Sequence, residues 1–350
     1  MTKSLTEQQR FLALDIFRGL TVTPTDLVFP SFLFAVGNAL SFAMKRWDTM
    51  PQREVILKIF KRTLLIFVIG FLMYWFPFFR LDAQGHFALS PFSDTRIMGV
   101  LQRIALCYGI SALLVYYLGT RRTLWIGALT LPLYWLLMVV FGTPGAEFSK
   151  TGNAVLSLDT WLFGINHLYR GEGFPFDPEG VLSTIPALFN VIAGYAAGVF
   201  LQKNGQNTKG LLKVVAVGAG FVLLAVLWNE AMPINKKLWT SSFALLTVGL
   251  DLALIALIVF VADVLRFTKG SGFFLVAGKN PLFIYLLSEL GVIILYMIPV
   301  GNEPLFRWLY THIFVYAGDY FGAFLFALWW MLTCWLAGYV LDKKKIYIRL

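Results

Sequence analysis

Apolar runs recur along the whole chain, each bounded by charged residues or by Pro and Gly. They cover 27–44, 63–79, 97–119, 123–142, 181–201, 211–228, 238–264, 275–298 and 320–341, with a shorter run, 11–22, ahead of them. A helix needs ~20 mostly apolar residues to cross a bilayer, and most of these runs come close to that length. The pattern predicts an all-α fold: a polytopic transmembrane helix bundle of about ten spans, organised as a single integral-membrane domain over 1–350. Residues 306–317 are amphipathic and too short to cross, so a helix lying at the surface is expected there. Repeats and low-complexity tracts are not visible.

Composition excludes the soluble classes. The 350 residues are 58% apolar, 17% aromatic and 14% charged, with a mean hydropathy of +0.72, whereas soluble domains carry about 25% charge. The net charge of +10 does not indicate nucleic acid, because a nucleic-acid binder gathers its basic residues on one face or tail. These bases lie in short loops. With alternate loops assigned to opposite sides, 19 Lys and Arg fall on one side and seven on the other. That split puts both termini in the cytoplasm if the first run crosses. Cys107 and Cys334 lie inside apolar runs and suggest neither a disulfide framework nor a metal site. A cleaved leader is not expected, because Asp15 and Arg18 interrupt the apolar core it would need.

The first run is too short for its task. Residues 11–22 would rise only ~18 Å as a helix, against a hydrocarbon core of ~30 Å. Thr23-Pro24-Thr25-Asp26 then reads as a new helix start, so Val22 meets the second span with no external loop between them.

Six blocks carry a resemblance. Leu14-Asp15-Ile16-Phe17-Arg18-Gly19-Leu20 and Thr23-Pro24-Thr25-Asp26-Leu27-Val28-Phe29-Pro30 come first. Arg96 through Ala105, with Gln102 and Arg103, is the third, and Phe176-Asp177-Pro178-Glu179-Gly180 with Ser183 and Thr184 the fourth. Asn235-Lys236-Lys237-Leu238-Trp239-Thr240 and Gly278-Lys279-Asn280-Pro281 complete the set. In this order they resemble the heparan-α-glucosaminide N-acetyltransferase family of integral-membrane acyltransferases, in its bacterial-type form. The resemblance implies acetyl transfer from cytoplasmic acetyl-CoA, the acyl donor, to an amino sugar or glycan across the membrane. It also implies residence in the bacterial cytoplasmic (inner) membrane. In that family a catalytic His lies between the first two blocks, and here that stretch of the pattern is absent. Its neighbours in this chain are Asp15, Arg18 and Asp26.

An attacking amine needs a base near neutral pKa, a role suited to His. His86, His167 and His312 remain, all in predicted loops or the surface helix, where imidazoles usually have no special task. Gln102, Arg103, Asp177, Glu179, Asn235, Lys236, Trp239 and Asn280 are the expected substrate-binding residues, with no metal. A guanidinium grips phosphate or carboxylate bidentately, and a Trp at a helix mouth can stack on a sugar ring or anchor at the membrane interface. Asp26 reads first as a helix cap, and Asp177-Pro178-Glu179 as a helix start. Segment 143–180 has a net charge of −3, which would attract a cationic amino sugar. Asp251 and Glu289, inside apolar runs, read as partners in helix-holding pairs. Gly194 and Gly198 form a close-packing face. A homodimer fits exposed aromatic spans. Two other classes stay open: a relative that binds acyl-CoA without turnover, and a transporter or flippase of sugar or lipid-linked substrates.

Overall fold

The computed structural model describes residues 24–81, 86–171, 173–204, 207–267 and 269–348. Its elements are helices α1 (Pro24–Trp47), α2 (Gln52–Trp75), α3 (Val100–Phe141), α4 (Ala154–Phe163), α5 (Thr184–Asn204), α6 (Thr208–Trp228) and α7 (Ser241–Val259), the last continued by a π-helical turn, Phe260–Val264. Then come α8 (Ser271–Lys279), α9 (Pro281–Met297), α10 (Leu305–Leu309) and α11 (Asp319–Lys343). Two small antiparallel hairpins interrupt them, Phe79–Leu81 with Phe87–Leu89 and Pro299–Val300 with Glu303–Pro304. The fold is the all-α polytopic bundle that the apolar runs predict.

Among the described residues six helices are long and apolar enough to cross a membrane, and α8 with α9 makes a seventh candidate bent by 80°. That is fewer than the expected ten, for identifiable reasons. As one straight rod the 42-residue α3 would run ~63 Å, twice the hydrocarbon core. It breaks at Gly119 (φ 71°, ψ 174°), just before Arg121 and Arg122, which is the boundary expected between 97–119 and 123–142. The run 63–79 is instead the C-terminal part of α2, whose first half carries Arg53, Glu54, Lys58, Lys61 and Arg62. Pro77 cannot continue a helix, and α2 stops at Trp75. The run 11–22 and the Val22–Thr23 junction lie outside the described residues. Helical backbone does run from 305 through 317, as α10, a π-turn and a 3₁₀ turn.

The chain forms two compact units, one of residues 1–74 and 91–267, the other of 75–90 and 268–350. In the first, α5 is buried over most of its length. It meets α1 backbone to backbone: a Cβ on Gly37 would lie 1.8 Å from the Val191 carbonyl oxygen, and one on Gly194 2.0 Å from that of Phe34. Helices α6 and α7 cross in the same way at Gly218 and Gly249, each glycine facing the other's carbonyl. Small residues let membrane helices approach closely and gain dispersion contact that lipid alone would not provide. The glycines at 194 and 198 thus serve as the packing face expected of them. Leu40, Met44, Val55, Ile59, Tyr108 and Tyr195 fill the space among α1, α2, α3 and α5.

In the second unit α11 buries only Gly322, Cys334 and Gly338. Gly291 faces the Trp330 ring and Gly338 the Ile284 side chain, and Trp335 Nε1 donates to the Phe273 carbonyl at 2.8 Å.

Candidate functional site

At one end of the first unit, four stretches far apart in sequence converge: the turn before α3, the 164–183 connection, the turn before α7 and the start of α1. Arg96 organises the first two. Its guanidinium lies between the rings of Tyr74 and Tyr169, 4.7 and 4.5 Å from their centroids. It grips Asp177 with two bonds, Nε to Oδ2 at 2.9 Å and Nη2 to Oδ1 at 2.7 Å, and reaches Glu179 Oε2 at 2.5 Å. Bidentate, charge-assisted bonds of this kind are the strong ones, and Asp177 is fully buried. Burial disfavours the Arg96 charge, but the Asp177 bond outweighs it and holds the proton more tightly than in an ordinary guanidinium.

The 177–180 turn bends back on itself through Asp177 Oδ1, which accepts from the Glu179 amide at 3.0 Å. It does not start a helix as the Asp-Pro-Glu pattern suggests. Arg96 draws both acids sideways, and α5 begins only at Thr184. The turn instead offers carbonyls to Arg103, whose Nη2 donates to Pro178 O at 3.0 Å and Gly180 O at 3.2 Å and also to the Ser183 hydroxyl. Arg103 is fully buried. Its Nε and Nη1 have no hydrogen-bond partner among the described residues.

Below Arg103 lies Trp239, 4.9 Å from guanidinium carbon to ring centre. Trp239 is 1% exposed, edge-packed against Phe29 and Phe243, and its Nε1 donates to Asn190 Oδ1 at 3.2 Å. It is neither a membrane-interface anchor nor an open stacking platform, because its ring faces are occupied by protein. Its backbone sits at φ 49°, a costly region for a bulky residue that persists where surroundings enforce it.

Asn235 also differs from expectation. Its Oδ1 accepts from the amides of Lys237 (2.9 Å) and Leu238 (3.3 Å), shaping a turn that delays α7 until Ser241. Lys236 Nζ instead pairs with Asp26 Oδ1 at 3.0 Å, across 210 residues. Asp26 lies in the first turn of α1, where an acid complements the helix dipole.

Gln102 and Arg103, neighbours in sequence, face different surroundings. The Gln102 amide is buried against Gly70 of α2, with no partner for either polar atom among the described residues. Asn280 belongs to the second unit, where its amide bonds Ile346 O (3.1 Å) and Ile348 N (2.9 Å), tying down the chain after α11. Asp15 and Arg18 lie outside the described residues. His167 Nδ1 is bonded to Thr95 O at 2.7 Å, His312 stacks on Trp308, and His86 is exposed.

Three participants escaped sequence reading. Tyr74 and Tyr169 carry no polar signal in a chain this aromatic. Asp159 counted only toward the charge of its segment, yet it is buried beneath the 177–181 turn, where Oδ1 accepts from Val181 N at 2.9 Å. A Cβ on Gly180 would lie 1.9 Å from its Oδ2, so that position needs glycine. Burial pushes the Asp159 carboxyl up to about 7, partly offset by the Val181 bond. With Asp177 and Glu179 held by Arg96 and Asp159 buried, little of the acid in 143–180 is left for a cationic sugar.

These features define a polytopic membrane protein with a buried polar assembly at one end of its larger unit. No family model matches the chain. It is similar to the heparan-alpha-glucosaminide N-acetyltransferase of Mus musculus, 27% identical over 398 residues that cover 95% of this chain and 56% of the mouse protein. It is also 27% identical to the Homo sapiens protein of the same name, over 78% of this chain and 48% of that protein. The two matches bear out the resemblance that the six blocks carry. The chain spans about half the length of these curated relatives.

Proposed function

We propose that the chain is a transmembrane acetyltransferase that takes acetyl from acetyl-CoA on the cytoplasmic side and delivers it to an amino sugar or glycan on the other. The observation that carries this reading is convergence. Residues of four family blocks, Asp26, Arg96 with Arg103, Asp177 with Glu179, and Lys236 with Trp239, are linked at one end of one unit. In the reaction the acceptor nitrogen attacks the acetyl carbonyl carbon. The N–C bond forms, the C–S bond breaks, and the thiolate of coenzyme A leaves with a proton from the amine. Among the described residues two nitrogens of Arg103, Nε and Nη1, have no hydrogen-bond partner in a dry setting, the kind of donor that stabilises developing negative charge. The base belongs, on the family pattern, to the stretch missing between Val22 and Thr23.

The same absence supports a second reading for the 350 residues as they stand: acetyl-CoA binding without turnover. Proteoliposomes decide between them. Labelled acetyl-CoA on one side and glucosamine on the other should give N-acetylated sugar. Tight acetyl-CoA binding without product supports the second reading. Sugar counterflow without acetylation, persisting when the missing stretch is restored, overturns both in favour of a transporter.

A further inference from the structure

Helix α7 is apolar except for hydroxyls and one acid. Asp251 lies ten residues after Ser241, ~15 Å along the helix and so near the middle of a ~30 Å hydrocarbon layer. It is 3% exposed. The Ser31 hydroxyl of α1 donates to its Oδ1, while Oδ2 has no hydrogen-bond partner among the described residues. The expectation that Asp251 pairs with another buried charge is not met. The facing helices carry their charges near their ends: Asp26, Lys45 and Arg46 on α1, Lys203 on α5, Lys209 and Lys213 on α6. Tyr195 of α5 packs toward α2 and α3, and Arg103 of α3 is engaged by the 178–183 turn.

Among the described residues Asp251 has no countercharge, and an uncompensated carboxylate is expensive at this depth. The geometry points to one inexpensive occupant. Hard metal cations take about six oxygens, and here two carboxylate oxygens and one hydroxyl are in place. A proton needs a single oxygen, and Oδ2 is unused. We propose that Asp251 and Ser31 form a proton-binding site at mid-depth of the first unit, separate from the transfer site at its end. One turn earlier on the same face of α7, Thr247 accepts from Asn190 at 3.0 Å, and Asn190 accepts from Trp239. A buried polar line therefore runs from Arg103 through Trp239 and Asn190 to Thr247, and Asp251 follows one helical turn later, so loading the site changes the charge next to its inner end by one unit. The site stands on helix packing and is independent of the acetyltransferase reading.

Infrared difference spectroscopy of the full chain in proteoliposomes tests this directly. The carbonyl stretch of a buried carboxylic acid should be present at neutral pH, lost in Asp251→Asn and retained in Asp159→Asn, which removes the buried acid of the first unit that Arg96 does not grip. Ser31→Ala should shift the band to higher frequency, because the hydroxyl no longer bonds the carbonyl. An unchanged band in Asp251→Asn overturns the proposal. So does thermal stabilisation by sodium that disappears in that variant, which would make this a metal-cation site. Should Asp251→Asn not fold, the Ser31→Ala shift decides, and its absence overturns the site. Missing acetyl transfer with the band intact counts against the proposed function alone.

Discussion

Two blocks that look alike in sequence, each a basic residue beside polar ones at the edge of an apolar run, are built very differently. In the first unit Arg96 is clamped between two tyrosines and holds two carboxylates in the interior. In the second, Lys279 meets Asp342 at 2.8 Å with 42% of its own side chain exposed, and Asn280 bonds the C-terminal segment at Ile346 and Ile348. The contrast extends to glycine. Gly37 and Gly194 admit no further atom, whereas a Cβ on Gly272 or Gly278 meets nothing within 4 Å. A charge at a span mouth therefore acquires consequence from how completely its neighbours exclude water, because an ion pair that solvent can screen adds little.

The largest effect should come from Arg96→Ala. It removes the only cation hydrogen-bonded to Asp177 and Glu179 among the described residues, and breaking a buried pair costs about 3–5 kcal/mol. Thermal unfolding in detergent should show a large drop, with little or no change in Lys279→Ala as the contrast, because solvent screens that pair. Equal drops would erase the distinction between the two units.

Asp159 should act through pH. Burial holds the folded carboxyl up at about 7, against 3.8 for a free, solvated one, so its contribution to stability is fully present below the free value and is lost as pH rises through about 7. Asp159→Asn keeps an acceptor for Val181 N and should flatten that part of the melting-temperature profile, by up to a few kcal/mol at 1.36 per pKa unit. A profile identical to that of the unmodified chain would show that the carboxyl titrates as if exposed.

Gly37→Ala should cost about 1–3 kcal/mol by overpacking, read as a lower melting temperature. Gly278→Ala, inside α8, should be neutral or stabilise by about 0.5–1 kcal/mol through backbone entropy. A loss at Gly278 as large as at Gly37 would mean that the second unit is packed as tightly as the first.

Much of the fold was legible because the bilayer imposes a simple rule. Backbone groups in hydrocarbon must bond within their own segment, so long apolar runs become helices, and the break at Gly119 announces itself through the arginines that follow. The candidate site was legible only in part. Arg103 stands in one block of the sequence and Asp177 and Glu179 in another, and their convergence appears only in space. Gln102 and Arg103 could not be told apart by position, since adjacent helical residues point about 100° apart and meet different partners. Sequence shows residue type and not exposure, so the burial of Trp239 and the turn shaped by the Asn235 side chain emerge only in space. The sequence by itself determined the all-α membrane class, the glycine packing face and the family resemblance, all of which depend on composition and local order. Only the tertiary structure decided which polar residues are buried together, that Arg96 holds the acids, and that Asp251 has no counterion among the described residues. Burial and partnership are set by segments as much as 220 residues apart, and no local pattern encodes the distance between them.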